Sequence, residues 1–542
     1  MKIALAQLNY HIGNFAANTE KIISAIRQAK NDGAELVVFS ELAVCGYPPR
    51  DFLEFSNFID LVDEAIDKIA KESNDIGIIV GAPARNPDKK GKKLFNCAYF
   101  LNEGKVVSKH YKQLLPNYDI FDEYRYFEPA HEVECLKFKG KTIALTICED
   151  LWNISGSYLY RRSPMEHLIQ QQPDFIINIA ASPFSYNQVE RRKEVFDYHQ
   201  KKYNLPIMYV NHVGAQTELI FDGGSQFINA KGERLKQLKY FEEELAVIDL
   251  NEESNDDSHR ELDKYEKIEA ALCLGVKDYF RKLGFKKACL GLSGGIDSAL
   301  SLVIAVRALG AENVMPILMP SQFSSDHSID DSIKLCENLS CEYHQIPIED
   351  IYHSFGEKLE PLFKGLPFDL TEENLQSRIR GTLLMAYANK FNTILLNTSN
   401  KSELAVGYGT LYGDMAGGLS LIGDLYKTEV MDLSRHLNRD GEVIPQNIID
   451  KPPSAELRPD QKDSDSLPDY EDLDAILKAY IEDRLGPAEI IASGQDEELV
   501  RRSLRLVNIN EYKRHQTAPI LRISEKAFGM GRRMPIVGKY LS

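Results

Sequence analysis

Two hydrophobic patterns alternate along this chain. Short, nearly unbroken apolar runs at residues 2–8, 35–40 and 77–81 read as buried strands. Between them, residues 14–33, with Ile22, Ile23, Ile26 and Ala29 on one helical face, and residues 56–72 read as amphipathic helices. Further strands are predicted at 98–102, 105–110 and 207–212, in the run KTIALTIC that ends at Cys148, and at 224–229 and 244–250 after a turn at 221–224. Strands and helices at this spacing predict a layered α/β architecture.

The pattern breaks at residues 251–261, a polar, acidic stretch without a large apolar side chain, which reads as a linker. Beyond it a second series begins. It comprises a helix at 262–283, a strand at 286–292, a loop at 293–298, a helix at 298–309, a strand at 313–320, a helix at 326–339, and strands at 343–348 and 393–400. Strand–helix–strand alternation predicts a doubly wound parallel sheet with ligands at the carboxyl ends of its strands. At 542 residues the chain is too long for one core, so we expect two domains, 1–250 and 262–542.

Composition narrows the function classes. An apolar fraction of 43% with 27% charged residues belongs to a folded rather than a disordered chain. A formal net charge of −17 argues against a surface that coats nucleic acid, leaving small molecules as the expected partners. The opening MKIALAQLNYHIGN is broken by Gln7, Asn9 and His11, unlike a signal peptide, and no apolar run is long enough for a membrane helix. Eight scattered cysteines without a CxxC pair suit a reducing cytoplasm, and neither they nor the histidines have zinc-site spacing.

Two constellations carry chemistry. In the second half, Ser293-Gly294-Gly295-Ile296-Asp297-Ser298 joins a strand to a helix, so its backbone N–H groups and the helix dipole suit an anion, most simply phosphate. A Gly-Gly turn with a Ser or Asp cap also occurs without any ligand, and Asp297 reads equally as a cap. The Lys-Ser/Thr ending of a Walker loop is missing. A carboxylate beside a phosphate loop needs a counter-charge, which makes Asp297 and Glu403 candidate Mg2+ ligands. In the first half Glu41, Lys112 and Cys148 each lie just beyond an apolar strand. Singly they are a cap, a surface charge and a core thiol. Together they suit attack on an amide by a thiolate, with a carboxylate as base and an ammonium for the oxyanion. Glu149 and Asp150 follow the cysteine and should raise its pKa, so a nearby lysine is close to required. Residues 450–470, rich in proline and charge, read as a long loop and a possible lid.

Three resemblances sharpen this reading. FSELAVCGYPPRD, YKQLLPNY and ICEDLW resemble the nitrilase (carbon–nitrogen hydrolase) superfamily, which implies an αββα sandwich with Glu41, Lys112 and Cys148 as catalytic triad and Tyr118, Ser182 and Gln188 as glutamine contacts. SGGIDS resembles the PP-loop ATP pyrophosphatases (adenine nucleotide alpha hydrolase-like), which activate a carboxylate as an adenylate. LSGGIDSA, FSSDHS, ENLQSRIRG, NTSNKSELAVGYGTLYGD, DLYKTEV, PPSAELRPDQKDSDSLPDY and EYKRHQTAPILRIS, in this order, are similar to the synthetase domain of NAD+ synthetases. With the nitrilase half they resemble the glutamine-dependent NAD+ synthetase family. That resemblance implies ATP contacts at Gly291, Leu292, Ser293, Gly294, Gly295, Ile296, Asp297, Ser298, Thr398 and Lys427, and deamido-NAD+ contacts at Asn374, Glu403, Asp414 and Lys513. It also implies a carbon–nitrogen ligase that passes ammonia from glutamine to an adenylated carboxylate, using ATP and Mg2+. Another carboxylate acceptor is the alternative. No nucleic acid or membrane partner is expected, and a homo-oligomer is.

Overall fold

The computed structural model describes residues 1–542 except 89, 155–158, 252–260, 460, 462, 464–466 and 542. Most of the predicted linker therefore lies outside the described residues. The chain divides into two units, Met1–Leu262 and Asp263–Ser542.

In the first unit the apolar runs become β1 (Lys2–Gln7), β2 (Leu36–Phe39), β3 (Gly77–Arg85), β4 (Leu94–Asn102) and β5 (Lys105–Tyr111), and later β6 (Leu136–Phe138), β7 (Lys141–Ile147), β8 (Phe175–Ala180) and β9 (Ile207–Asn211). After them come β10 (Val213–Gln216), β11 (Leu219–Asp222), β12 (Gln226–Ile228), β13 (Arg234–Gln237) and β14 (Glu244–Asp249). Two six-stranded sheets result, ordered β14-β1-β2-β3-β4-β5 and β13-β12-β9-β8-β7-β6, while β10 and β11 form a separate antiparallel pair. Each large sheet has a parallel centre, β1-β2-β3 or β7-β8-β9, with antiparallel strands outside it.

Burial of both faces explains the unbroken apolar runs. In β1, Ile3 and Leu5 enter a core shared with the second sheet through Leu145 and Ile177, while Ala4 and Ala6 enter the core beneath the helices Phe15–Asn31 and Ser56–Ala70. The first of these helices starts at Asn14, whose side chain accepts from the Ala17 N–H, and buries Ile22, Ala25, Ile26 and Ala29. The nitrilase-type sandwich expected from the sequence is present.

The second unit contains one parallel sheet of β15 (Ala288–Gly291), β16 (Val314–Leu318), β17 (His344–Gln345), β18 (Ile394–Asn397) and β19 (Leu419–Ser420), ordered β17-β16-β15-β18-β19. The chain enters at the central β15, moves outward to β17, and returns to the other side for β18 and β19. That reversal opens a crevice at the carboxyl ends of β15 and β18.

Three expectations change at their edges. Phe221 and Asp222, expected in a turn, belong to β11, and the turn itself is Gly223-Gly224 with φ of 70° and 63°. The strand expected at 343–348 shrinks to His344–Gln345, because this sheet edge pairs with β16 through only two residues. The helix expected from 298 begins at Ile296.

One close approach controls the end of β2. The Gly81 N–H donates to Ser40 O at 3.2 Å, and a Cβ on Gly81 would lie 2.4 Å from Leu42 N and 2.7 Å from Glu41 Cα. Gly81→Ala is therefore expected to destabilise the first unit by about 1–3 kcal/mol, as overpacking does; an unchanged thermal melt would refute this.

Candidate active sites

The first site is built where β2, β5 and β7 end. Glu41 and Lys112 are fully buried. Glu41 Oε1 accepts from Lys112 Nζ at 2.8 Å and Asn96 Nδ2 at 2.7 Å, and Oε2 accepts from the Ala181 N–H at 2.9 Å. On its other side Lys112 Nζ donates to both oxygens of Glu123 at 2.9 Å, and Glu123 also accepts from the Tyr47 hydroxyl at 2.9 Å. Burial pulls the Lys112 ammonium down, but Glu123, Glu41 and Cys148 together hold it well above the usual lysine range. Burial pushes Glu123 up to about 7 against the pull of Lys112.

Cys148 opens a tight 3-10 turn, Cys148–Leu151, immediately after β7, at a left-handed φ of 44°. A non-glycine residue there costs on the order of 1–3 kcal/mol and needs outside support. Asp150 supplies it: its Oδ2 accepts from the Ile147 N–H at 3.0 Å, and its Oδ1 from the Gln113 and Leu114 N–H groups at 3.0 and 2.9 Å. One carboxylate thus ties the thiol's turn to the residues just after Lys112. Burial first, then Glu41, with Glu149 and Glu123 adding and Lys112 opposing, pushes the Cys148 thiol well above its ordinary range. A thiol raised in this way has to lose its proton before it can act as a nucleophile, and Glu41 is the charged group that raises it most.

The expected glutamine contacts surround this cluster. The Tyr118 hydroxyl donates to Glu149 at 3.0 Å, as the Tyr160 hydroxyl does at 3.1 Å. Ser182 follows the Ala181 that holds Glu41 and donates its N–H to Asn211 Oδ1 at 2.9 Å, while Gln188 Nε2 donates to Ser182 Oγ at 3.1 Å.

In the second unit a cleft of ≈ 300 Å³ lies at the crevice between β15 and β18. Gly291, Leu292, Ser293, Gly295, Ile296, Asp297, Ser298, Thr398, Lys427, Glu403 and Asp414 line it. Gly294 lies behind them at φ +80°, where a Cβ would come 2.5 Å from Ser328 O. The helix starts behind Gly295, which makes no side-chain cap, so Asp297 is not the cap. Its carboxylate accepts instead from Asn400 Nδ2 at 2.8 Å and Lys427 Nζ at 2.5 Å, and Glu403 stands 3.7 Å from the same ammonium. Burial, then Asp297, pushes the Glu403 carboxyl well up against the pull of Lys427. That surplus of negative charge on hard oxygen donors fits Mg2+, which typically binds one or two carboxylates and completes its shell with phosphate and water. Among the described residues no cluster of three or more His, Cys, Asp or Glu side chains forms a metal site.

Asn374 and Lys513 stand away from the cleft lining. They hold the loop behind it: Thr410 Oγ1 donates to Asn374 Oδ1 at 2.7 Å, and Lys513 Nζ donates to the carbonyls of Gly407 and Gly409 at 2.8 Å. Asp414 Oδ1 accepts from the Thr410 N–H of that loop. Of the expected lid, 451–457 and Asp463 line the cleft, and 460, 462 and 464–466 lie outside the described residues. Glu456 accepts from the Ser325 N–H at 3.3 Å, Ser325 Oγ at 3.0 Å and Ser328 Oγ at 2.7 Å.

Glu123 and Asn96 in the first unit, and Arg380, Glu456 and Asp463 in the second, are not singled out by sequence reasoning, and Asp150, expected to raise the thiol, instead braces its turn. Glu123 had one signal: it is a carboxylate inside the aromatic stretch NYDIFDEYRYF, where burial is expected.

Fold and sites define a two-module enzyme, a thiol carbon–nitrogen hydrolase unit followed by a nucleotide-binding unit. The family profile described as carbon-nitrogen hydrolase matches residues 2–257 and that described as NAD synthase matches 268–517. The chain is 47% identical to the glutamine-dependent NAD(+) synthetase of Synechocystis over 98% of both chains, and 40% identical to that of Thermotoga maritima over 100% of this chain and 99% of the other. A solved glutamine-dependent NAD+ synthetase from Acinetobacter baumannii, in complex with ADP, is 40% identical with a TM-score of 0.79, covering 99% of this chain and 98% of the other. The chain belongs to the glutamine-dependent NAD(+) synthetase family.

Two outcomes follow from the first site. Lys112→Met leaves two buried carboxylates without their cation and is expected to cost about 3–5 kcal/mol of stability, read by thermal or denaturant melting. Alkylation of Cys148 by iodoacetamide, followed by peptide mass mapping, is expected to keep accelerating from pH 7 to pH 10, because the thiol ionises above the ordinary range; a plateau below pH 8 would contradict the assignment.

Proposed function

We propose that this chain makes NAD+ by amidating deamido-NAD+ with ammonia taken from glutamine, at the expense of ATP. The observation that carries the reading is that a buried Glu41–Lys112–Glu123 cluster acting on Cys148 and a phosphate-loop cleft occur in one chain. That chain matches glutamine-dependent NAD(+) synthetases along its length.

In the first unit, residues 1–250, glutamine lies against Tyr118, Ser182 and Gln188. Glu149, buried with two phenols and pushed up by that burial, gains most from a cation, and its natural partner is the α-ammonium of glutamine. Glu41 takes the thiol proton as the Cys148 sulfur attacks the carboxamide carbon. The oxyanion is met by the Lys112 ammonium, whose charge Glu41 and Glu123 maintain. Collapse expels ammonia with the proton returned by Glu41 and leaves a thioester. Glu41 then deprotonates a water that releases glutamate.

In the synthetase domain, read as residues 262–542, ATP occupies the cleft with its phosphates on residues 291–298, aided by Thr398 and Lys427. Deamido-NAD+ is held by Asn374, Glu403, Asp414 and Lys513, the first and last acting through the loop they support. The nicotinate carboxylate attacks the α-phosphorus and pyrophosphate leaves. Ammonia then attacks the acyl carbon and AMP leaves. Asp297 and Glu403 would hold Mg2+, which neutralises phosphate charge when bound. The cleft-lining residues 451–457, within the stretch expected as a lid, are read as a cover that keeps water from the adenylate.

All eight cysteines are free thiols, which supports a cytoplasmic location. The helix Glu349–Phe363 buries none of its residues, and Leu362, Leu366 and Leu370 near its end stand about 70% exposed. Such an apolar surface supports a homo-oligomer.

Incubation with ATP, glutamine and deamido-NAD+, with products identified by mass, should yield NAD+, AMP, pyrophosphate and glutamate. Cys148→Ala is expected to lose glutamine-driven synthesis and keep ammonia-driven synthesis. Equal glutamine-driven rates in variant and parent would remove Cys148 from the mechanism.

A further inference from the structure

Asp474 lies on the helix Tyr470–Ile481 and is almost fully buried without lining the nucleotide cleft. Its two oxygens are nevertheless committed to the neighbours of two cleft residues. Oδ1 accepts from Ser402 Oγ, and Ser402 directly precedes Glu403. Oδ2 accepts from the Thr428 N–H and Thr428 Oγ1, both at 2.9 Å, and Thr428 directly follows Lys427. Ser402 Oγ in turn accepts from the Lys427 N–H at 2.9 Å. The carboxylate therefore joins the first turns of two helices, Lys401–Val406 and Lys427–Leu437, that have no strand ladder between them.

From the cleft side the ring is closed by Asp297, which accepts from Asn400 Nδ2, on the residue that caps the first helix, and from Lys427 Nζ. Glu403 and Lys427 are thus fixed relative to each other twice, once through Asp297 inside the cleft and once through Asp474 behind it. Asp297 is a group that any bound nucleotide or cation would engage. Asp297 lines the cleft and Asp474 does not, so a ligand there would compete for the first carboxylate and not for the second.

We propose that Asp474 is a positioning residue for the amidation reaction: acting through Ser402 and Thr428, it holds Glu403 and Lys427 at their working separation when ligands draw Asp297 away. This rests on the functional reading above. Misplacement of reacting or binding groups by about 1 Å costs on the order of 10²-fold in rate, which sets the scale of the effect.

The test is ammonia-driven NAD+ formation by full-length variants, with kcat and KM for ATP determined separately. Asp474→Asn keeps the shape but replaces one acceptor by a donor, and its kcat/KM for ATP is expected to fall about 10- to 100-fold. Ser402→Ala removes the first arm and Thr428→Val the hydroxyl half of the second, leaving its N–H bond, so both should fall in the same direction with Thr428→Val the milder, whereas Ser402→Thr and Thr428→Ser, which keep the hydroxyl, should recover most of the parent value. Because the Thr428 hydroxyl acts through Asp474, Thr428→Val combined with Asp474→Asn should be no worse than Asp474→Asn alone. Near-parent kcat/KM in Asp474→Asn, equal losses in the Thr and Ala forms of Ser402, or losses that multiply in the double variant would overturn the proposal. If Asp474→Asn does not fold, the Ser402 and Thr428 pairs decide it. A parent protein that forms no NAD+ from ammonia would sink the functional reading instead.

Discussion

Two carboxylates facing each other in a space closed to water repel almost unscreened, and in the first unit one ammonium makes that arrangement possible. Lys112 stands between Glu41 and Glu123 with every partner within 2.9 Å. Because these groups come from three separate stretches, the cluster joins the ends of β2 and β5 to the short helix Glu123–Tyr126. The state of Cys148 also follows from this cluster. Burial first, then the carboxylates of the cluster, raise the thiol against the opposing pull of Lys112.

The second unit uses the same motif with one alteration. Lys427 also stands between two carboxylates, Asp297 and Glu403, but both keep 16% of their side-chain surface exposed where the first cluster is sealed. Each cluster sets one ammonium against two carboxylates; the first is sealed on all sides, and the second is open on one. A closed cluster suits a proton relay that must not leak. An open one suits a site that a charged ligand completes.

Glu41, Lys112 and Cys148 could be read from the sequence because each follows a recognisable apolar strand, and strand ends collect ligand-handling groups in α/β folds. The same logic placed the 293–298 loop at the crevice between β15 and β18. Glu123 escaped because its four-residue helix has no periodicity to mark it. Asp474 escaped for the opposite reason: it sits on an ordinary amphipathic helix, where an acidic residue normally faces water. Asp297 read equally as a cap or a ligand, and the tertiary contacts with Asn400 and Lys427 take it out of the capping role, which no local pattern could show. Element edges moved where partners are few, as in the two-residue β17.

The Glu456 contacts have a consequence for energetics. Its carboxylate sits on Ser325 and Ser328, at the amino end of the helix Asp326–Asn338, against which the glycine of the phosphate loop is packed. That corner is filled by a side chain of the chain itself, and Lys451 Nζ donates to the same Ser328 Oγ at 3.0 Å. The cleft-lining residues 451–457 are thus pinned to the amino end of this helix from two of their own positions, and any movement of that wall has to break those bonds first.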